Sequence, residues 1–78
     1  MSTIGQKSLN NFYRSVQFSS PAMAELMTEN VAAVALNALS ADNSAGQEAA
    51  DRLRRQAFDL PEIHRRVLDS ALTELGYS

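Results

Sequence analysis

The chain contains no cysteine and no tryptophan, and only one histidine, two prolines and three glycines in 78 residues. Without cysteine there is no disulfide, and one imidazole among scattered carboxylates does not give the clustered ligands of a structural zinc site. A chain this short buries only about 60% of the surface its unfolded form exposes, so its core is thin. With those two reinforcements excluded, self-association is the one left for a small fold, and a homodimer is expected.

Long apolar runs are missing as well. The longest, VAAVAL from Val31 to Leu36, is closed off by Asn30 and Asn37 and falls far short of the ~20 residues of a membrane span. The opening stretch MSTIGQKSLNNFYRS is polar and lacks the apolar segment of a signal peptide. Absence of cysteine suits a reducing compartment, so a cytoplasmic protein with no membrane contact is expected. A formal charge of −2 provides no global attraction to phosphate or to an anionic surface. No glycine-rich loop that could cradle a phosphate occurs, nor the acidic alternation of a calcium loop, and no cofactor is expected.

What is present is helical periodicity without an internal repeat, which predicts one all-α domain over residues 1–78, a bundle of three to four helices. The first helix is expected over about residues 6–17, because Leu9, Phe12, Tyr13 and Val16 recur at one-face spacing. Phe18 is expected to pack where the chain turns, and Gly5 to lie in a frayed start. Ser20 followed by Pro21 marks the start of a second helix running to about Ser40. Its core face is Met23, Met27, Val31, Val34, Ala35 and Ala38, and its many alanines permit close approach of a neighbour, so it is expected to be central.

The segment ADNSAGQ holds turn-forming residues, and Ser44 with Gln47 has the spacing of a capping box. A third helix follows over about 45–58, with Ala49, Ala50, Leu53, Ala57 and Leu60 inward and Phe58 plugging the junction. Asp59-Leu60-Pro61-Glu62 reads as a second cap, so the fourth helix, about 61–75, is separate from the third. Its expected face is Ile63, His64, Val67, Leu68, Ala71, Leu72 and Leu75, ended by Gly76 in the left-handed conformation.

Chemistry is sparse. His64 lies within an apolar stripe, and no motif supplies a partner to orient it or a nucleophile beside it. It is expected to be a partly buried imidazole, and the protein is expected not to be an enzyme. Between residues 47 and 69, five arginines (52, 54, 55, 65, 66) are matched by five carboxylates (Glu48, Asp51, Asp59, Glu62, Asp69). The pairs Glu48–Arg52, Asp51–Arg55, Glu62–Arg66 and Arg65–Asp69 all have the spacing of helix-face ion pairs. Nucleic acid is therefore an unlikely ligand, although two short helices joined by a tight turn resemble a helix-turn-helix in outline.

The surplus is apolar. On the second helix Leu26, Ala33 and Leu36, with Ala32 beside them, lie outside the core face, and Leu36 projects between Glu25 and Glu29. Such a helix needs covering on more than one side, by its own bundle, a second copy or another protein. Asn30 and Asn37, one heptad apart, sit at the rim where polar residues can fix the register of a helix pair. The expected function is a non-catalytic regulator, adaptor or inhibitor that binds another protein. Its expected contact residues are Leu26, Glu29, Ala33 and Leu36, with Arg54, Arg55, Arg65 and Arg66, on the Arg52 to Arg66 surface, adding charged specificity at the rim. A DNA-binding regulator using helices three and four is the alternative.

Overall fold

The computed structural model describes residues 3–38 and 44–77. It is an all-α bundle of four helices: α1 (Thr3–Ser19), α2 (Pro21–Asn37), α3 (Ser44–Gln56) and α4 (Glu62–Glu74). A 3-10 turn, Ala57–Asp59, links the last two. The expected end of the second helix at Ser40 and the turn residues 41–43 lie outside the described residues.

The helix boundaries follow from local chemistry. α1 starts earlier than its apolar spacing indicates, because Gly5 is not frayed but buried, within the helix, against Leu75. At its other end the Ser20 amide still bonds the Val16 carbonyl at 2.7 Å, which carries the helix past Phe18. Phe18 therefore does not pack in a turn: it stands on the last turn of α1, 94% exposed. Pro21 occupies the first position of α2, where its fixed φ suits a helix. Ser20 caps α2 with its backbone alone, accepting from the Ala24 amide at 3.0 Å.

Between α3 and α4 the chain breaks as expected. Leu60 is extended, with φ −83 and ψ 157, the geometry that a following proline imposes. The cap differs from expectation. Pro61 itself holds the N-cap position with no side-chain hydrogen bond, and its carbonyl accepts the amides of His64 and Arg65 at 3.0 and 3.3 Å. Asp59, two residues earlier in the 3-10 turn, is not the cap. α4 closes with Gly76 at φ 91. The Gly76 amide bonds Thr73 O at 3.0 Å and the Tyr77 amide bonds Leu72 O at 2.9 Å, the paired bonds of a Schellman motif.

α1 lies antiparallel to both α2 and α4, and α2 antiparallel to α3, while α3 and α4 touch sparingly. The centre of the bundle is thus shared by α1 and α2 instead of belonging to α2 alone. Leu9, Phe12 and Val16 from α1 meet Ala24, Met27 and Val34 from α2, with Ala49, Ala50 and Leu53 behind them and Leu68, Ala71 and Leu72 on the far side. Tyr77, carried inward by the Schellman turn, is 1% exposed, and its hydroxyl donates to the Val34 carbonyl at 3.1 Å.

The inward face of α4 is turned relative to expectation. Leu68, Ala71 and Leu72 are buried and Leu75 half-buried, but Ile63 and Val67 face solvent. The apolar arc of this helix is wider than one neighbour can cover, and α1 takes the side centred on Leu68 and Leu72. Phe58, expected as a plug, is 73% exposed, because the 3-10 turn places Ala57 inward and swings the next residue out.

Candidate interaction surfaces

The outer side of α2 is framed by polar bonds to its two neighbours. Toward α1, Gln6 donates to the Ala35 carbonyl at 3.1 Å and the Tyr13 and Thr28 hydroxyls lie 2.8 Å apart. Toward α3, Asn30 donates to the Gln56 side-chain oxygen at 3.1 Å, and the Gln56 amide donates to the Leu26 carbonyl at 3.2 Å. Asn37 donates back to the Ala33 carbonyl at 2.8 Å. Asn30 thus does meet a helix, and that helix is α3 of its own chain.

With α1 and α3 fixed at its edges, the remaining side of α2 is covered by no other helix among the described residues. Leu26 and Leu36 are 68% and 75% exposed. Glu29 is also exposed and Ala33 half-buried, while Ala22 continues the row to the helix start. Ala22, Leu26, Glu29, Ala33 and Leu36 follow one another at alternating steps of four and three residues, which sets them on one stripe of an α-helix. The four α2 residues expected to meet a partner are brought together here.

The four arginines expected to serve as their rim are not. Arg66 pairs with Glu62 at 3.2 Å on the outer side of α4, and Arg55 points to solvent from α3. Arg54 and Arg65 line a cleft of about 210 Å³ with Ala57, Phe58, Leu68 and Asp69, where α3 and the 3-10 turn meet α4. Arg52, the first residue of the Arg52 to Arg66 surface expected at the rim, is exposed one turn before Gln56, the α3 residue that bonds the Leu26 carbonyl.

Of the four expected helix-face pairs, only Glu62–Arg66 is made among the described residues. Arg54 approaches both Asp51, at 3.6 Å, and Asp69, at 3.5 Å across to α4. Packing of α4 beside α3 decides which carboxylates are in reach, and it directs both toward Arg54. Arg52, Arg55 and Arg65 consequently form no ion pair among the described residues. The Arg65 guanidinium sits 6.0 Å from the centre of the Phe58 ring, within cation–π range. Its Nε is buried without a hydrogen-bond partner.

His64 is half-buried and borders a shallow depression with Arg14, Ser15, Phe18 and Ser19. The Ser19 hydroxyl donates to the Ser15 carbonyl at 3.1 Å, so its proton is directed to the backbone and not toward an imidazole. No group of three or more His, Asp or Glu side chains among the described residues could hold a metal ion. No helix among them is long and apolar enough to cross a membrane. The Tyr77 phenol is pushed above its usual value by burial.

Ala22 and Phe58 are exposed surface residues that sequence reasoning did not assign to a contact. The four-three spacing that carries Ala22 was legible. The place of Arg52 follows only once Gln56 is known to lie against α2. Set beside known protein families, curated proteins and solved structures, the chain matches none.

Proposed function

We propose that the protein is a non-catalytic helical interaction module that forms a homodimer through the outer side of α2 and binds another protein as a regulator, adaptor or inhibitor. The observation that carries this reading is the exposure of Leu26 and Leu36, 68% and 75%, on one stripe of a helix whose inner side, Ala24, Met27 and Val34, is packed. A thin core cannot spare two leucines unless something else covers them, and contiguous apolar surface on a small protein marks an interaction site.

The second protein fits the corner formed by the 3-10 turn and α4. Phe58 is exposed there, beside Arg65 and Arg54, and aromatic residues with arginine dominate the energetics of protein interfaces. The segment bound would carry an apolar side chain next to a carboxylate, since the Arg65 guanidinium lacks an ion pair among the described residues. Affinity capture from the native host with wild type, Phe58→Ala and Leu36→Asp tests the assignment. The expected result is a partner lost with Phe58→Ala, while self-association is lost only with Leu36→Asp. A partner held equally by wild type and Phe58→Ala removes the corner from the proposal.

DNA binding through α3 and α4 is a second reading, favoured by the three arginines without an ion pair. It predicts a salt-dependent mobility shift of duplex DNA. The balanced charge of residues 47–69 weighs against it, and a lack of shift at moderate salt ends it.

A further inference from the structure

We infer that two copies dock α2 against α2 in antiparallel orientation, Leu26 of each against Leu36 of the other, with Glu29 of each beside Ala33 and Arg52 of the other. This rests on the proposed self-association through α2 and adds its register. The stripe Ala22, Leu26, Glu29, Ala33, Leu36 has the four-three spacing of a coiled-coil seam, in which each of these positions faces the partner helix. Alanine at positions 22 and 33 leaves room beside the leucines for a second helix to approach.

The stripe is self-complementary in one orientation. Leu26 and Leu36 are equidistant from Val31, and so are Glu29 and Ala33. A two-fold axis crossing α2 at Val31 therefore pairs leucine with leucine twice, and sets each glutamate against an alanine, which leaves its carboxylate room. Parallel pairing in register would instead bring Glu29 against its own copy inside an apolar seam, where like charges repel.

A carboxylate in such a seam needs a cation, and α3 supplies one. Gln56 contacts Leu26 and Asn30, and Gly46 lies beside Asn37, so the two helices run past each other in a known register. Arg52, one turn before Gln56 on the same edge, accordingly flanks Ala33. It is exposed and makes no ion pair among the described residues. The two-fold that sets Glu29 of one copy against Ala33 of the other also delivers it to Arg52, and does so twice.

The absence of cysteine makes the register directly measurable in the full chain. Glu29→Cys and Ala33→Cys are prepared singly and oxidised alone and as a mixture, with size-exclusion light scattering on wild type, Leu36→Asp and the charge variants. Wild type is expected to be a dimer, and Leu36→Asp a monomer of unchanged helicity, with association weakened at least roughly 100-fold because both leucine pairs are disturbed. The cysteine mixture is expected to cross-link the two variants to each other in preference to themselves. Glu29→Arg and Arg52→Glu should each weaken the dimer about tenfold, and the double exchange should restore it.

A dimer that cross-links Glu29→Cys mainly to itself overturns the antiparallel register and leaves self-association through α2 standing. A dimer indifferent to Leu36→Asp overturns both. A wild-type monomer at every concentration reached overturns the second copy as occupant.

Discussion

Met27 and Val34, on the inner side of α2, are wholly buried, whereas Leu26 and Leu36, on the outer side of the same 17-residue helix, keep most of their surface in water. The side chains are of similar kind and size, so hydrophobicity does not separate them. Two things do. Polar bonds to α1 and α3 fix those helices at the edges of α2 and no further round it. Tyr77 then seals the inner side by bonding the Val34 carbonyl, and no segment among the described residues performs that office outside. A helix with apolar residues on more than one side can thus bury some and expose others, and its flanking polar bonds decide which side is which.

The sharpest way to break this comparison is to remove the seal. Tyr77→Ala should cost about 3–5 kcal/mol, as for other buried aromatic truncations, a large part of the stability of so small a fold. Leu36→Asp should change the stability of the chain by itself by no more than about 0.5 kcal/mol, the range of ordinary surface substitutions. Urea unfolding of both variants at a concentration where light scattering shows a monomer checks the pair. Equal losses would show that the outer side is as much part of the fold as the inner.

Gly46 offers a smaller version of the same test. A Cβ there would lie 2.8 Å from that of Asn37 and collide with the Tyr77 hydroxyl, so the tyrosine reaches its carbonyl only because α3 carries glycine at that point. Gly46→Ala should cost about 1–3 kcal/mol by overpacking. In Gly46→Ala combined with Tyr77→Ala part of that cost should vanish, because the Tyr77 side chain is gone while the close Asn37 Cβ remains. A double-mutant cycle by thermal or urea unfolding reads the coupling.

These two residues also mark where the sequence stopped being readable. Four helices, the break at Pro61, the inward row of α3 and the left-handed Gly76 follow from periodicity and from proline and glycine geometry, all local properties. Tyr77 does not. It lies past the last helix, and only the direction in which the Schellman turn sends the chain carries it into the core. Phe18 and Phe58 show the converse: aromatic character suggested burial, yet each is set by its backbone on the outside of a turn. On α4 the apolar arc was wide enough to allow several faces, and α1 selected one. The outer row of α2 could be found from spacing alone, whereas Arg52 needed the pairing of α2 with α3, a tertiary fact.

A milder change keeps the ring and removes only the polar bond. Tyr77→Phe should cost about 1 kcal/mol at neutral pH, the usual net worth of a buried hydrogen bond, and the Val34 carbonyl still accepts the Ala38 amide at 3.1 Å. The two proteins should then differ in their response to alkali. Burial raises the folded-state pKa of Tyr77 above 10.0, so below that value both the folded and unfolded forms hold the proton and its contribution is full. As pH rises past it, the unfolded chain releases the proton first, and wild-type stability falls toward the raised folded value. The phenylalanine variant lacks this component, so its deficit relative to wild type should shrink as pH rises above 10.0. Parallel stability curves for the two would mean that Tyr77 ionises as freely folded as unfolded.

The smallest effect belongs to the junction of α3 and α4, which is held more loosely than either side of α2. Arg54 reaches Asp69 at 3.5 Å with both side chains partly in water, and such pairs contribute about 0.2–1 kcal/mol, less as salt screens them. Asp69→Asn should therefore lower stability slightly at low salt and hardly at all at high salt, and it should leave the proposed self-association through α2 unaltered. The same variant relieves Arg54 of a competing carboxylate beside Arg65 and Phe58. If the corner holds an acidic segment of another protein, Asp69→Asn should tighten that contact modestly while loosening the fold, an opposite pair of signs that a purely structural ion pair would not give. Urea unfolding at two ionic strengths, set against partner titration at the same strengths, separates them.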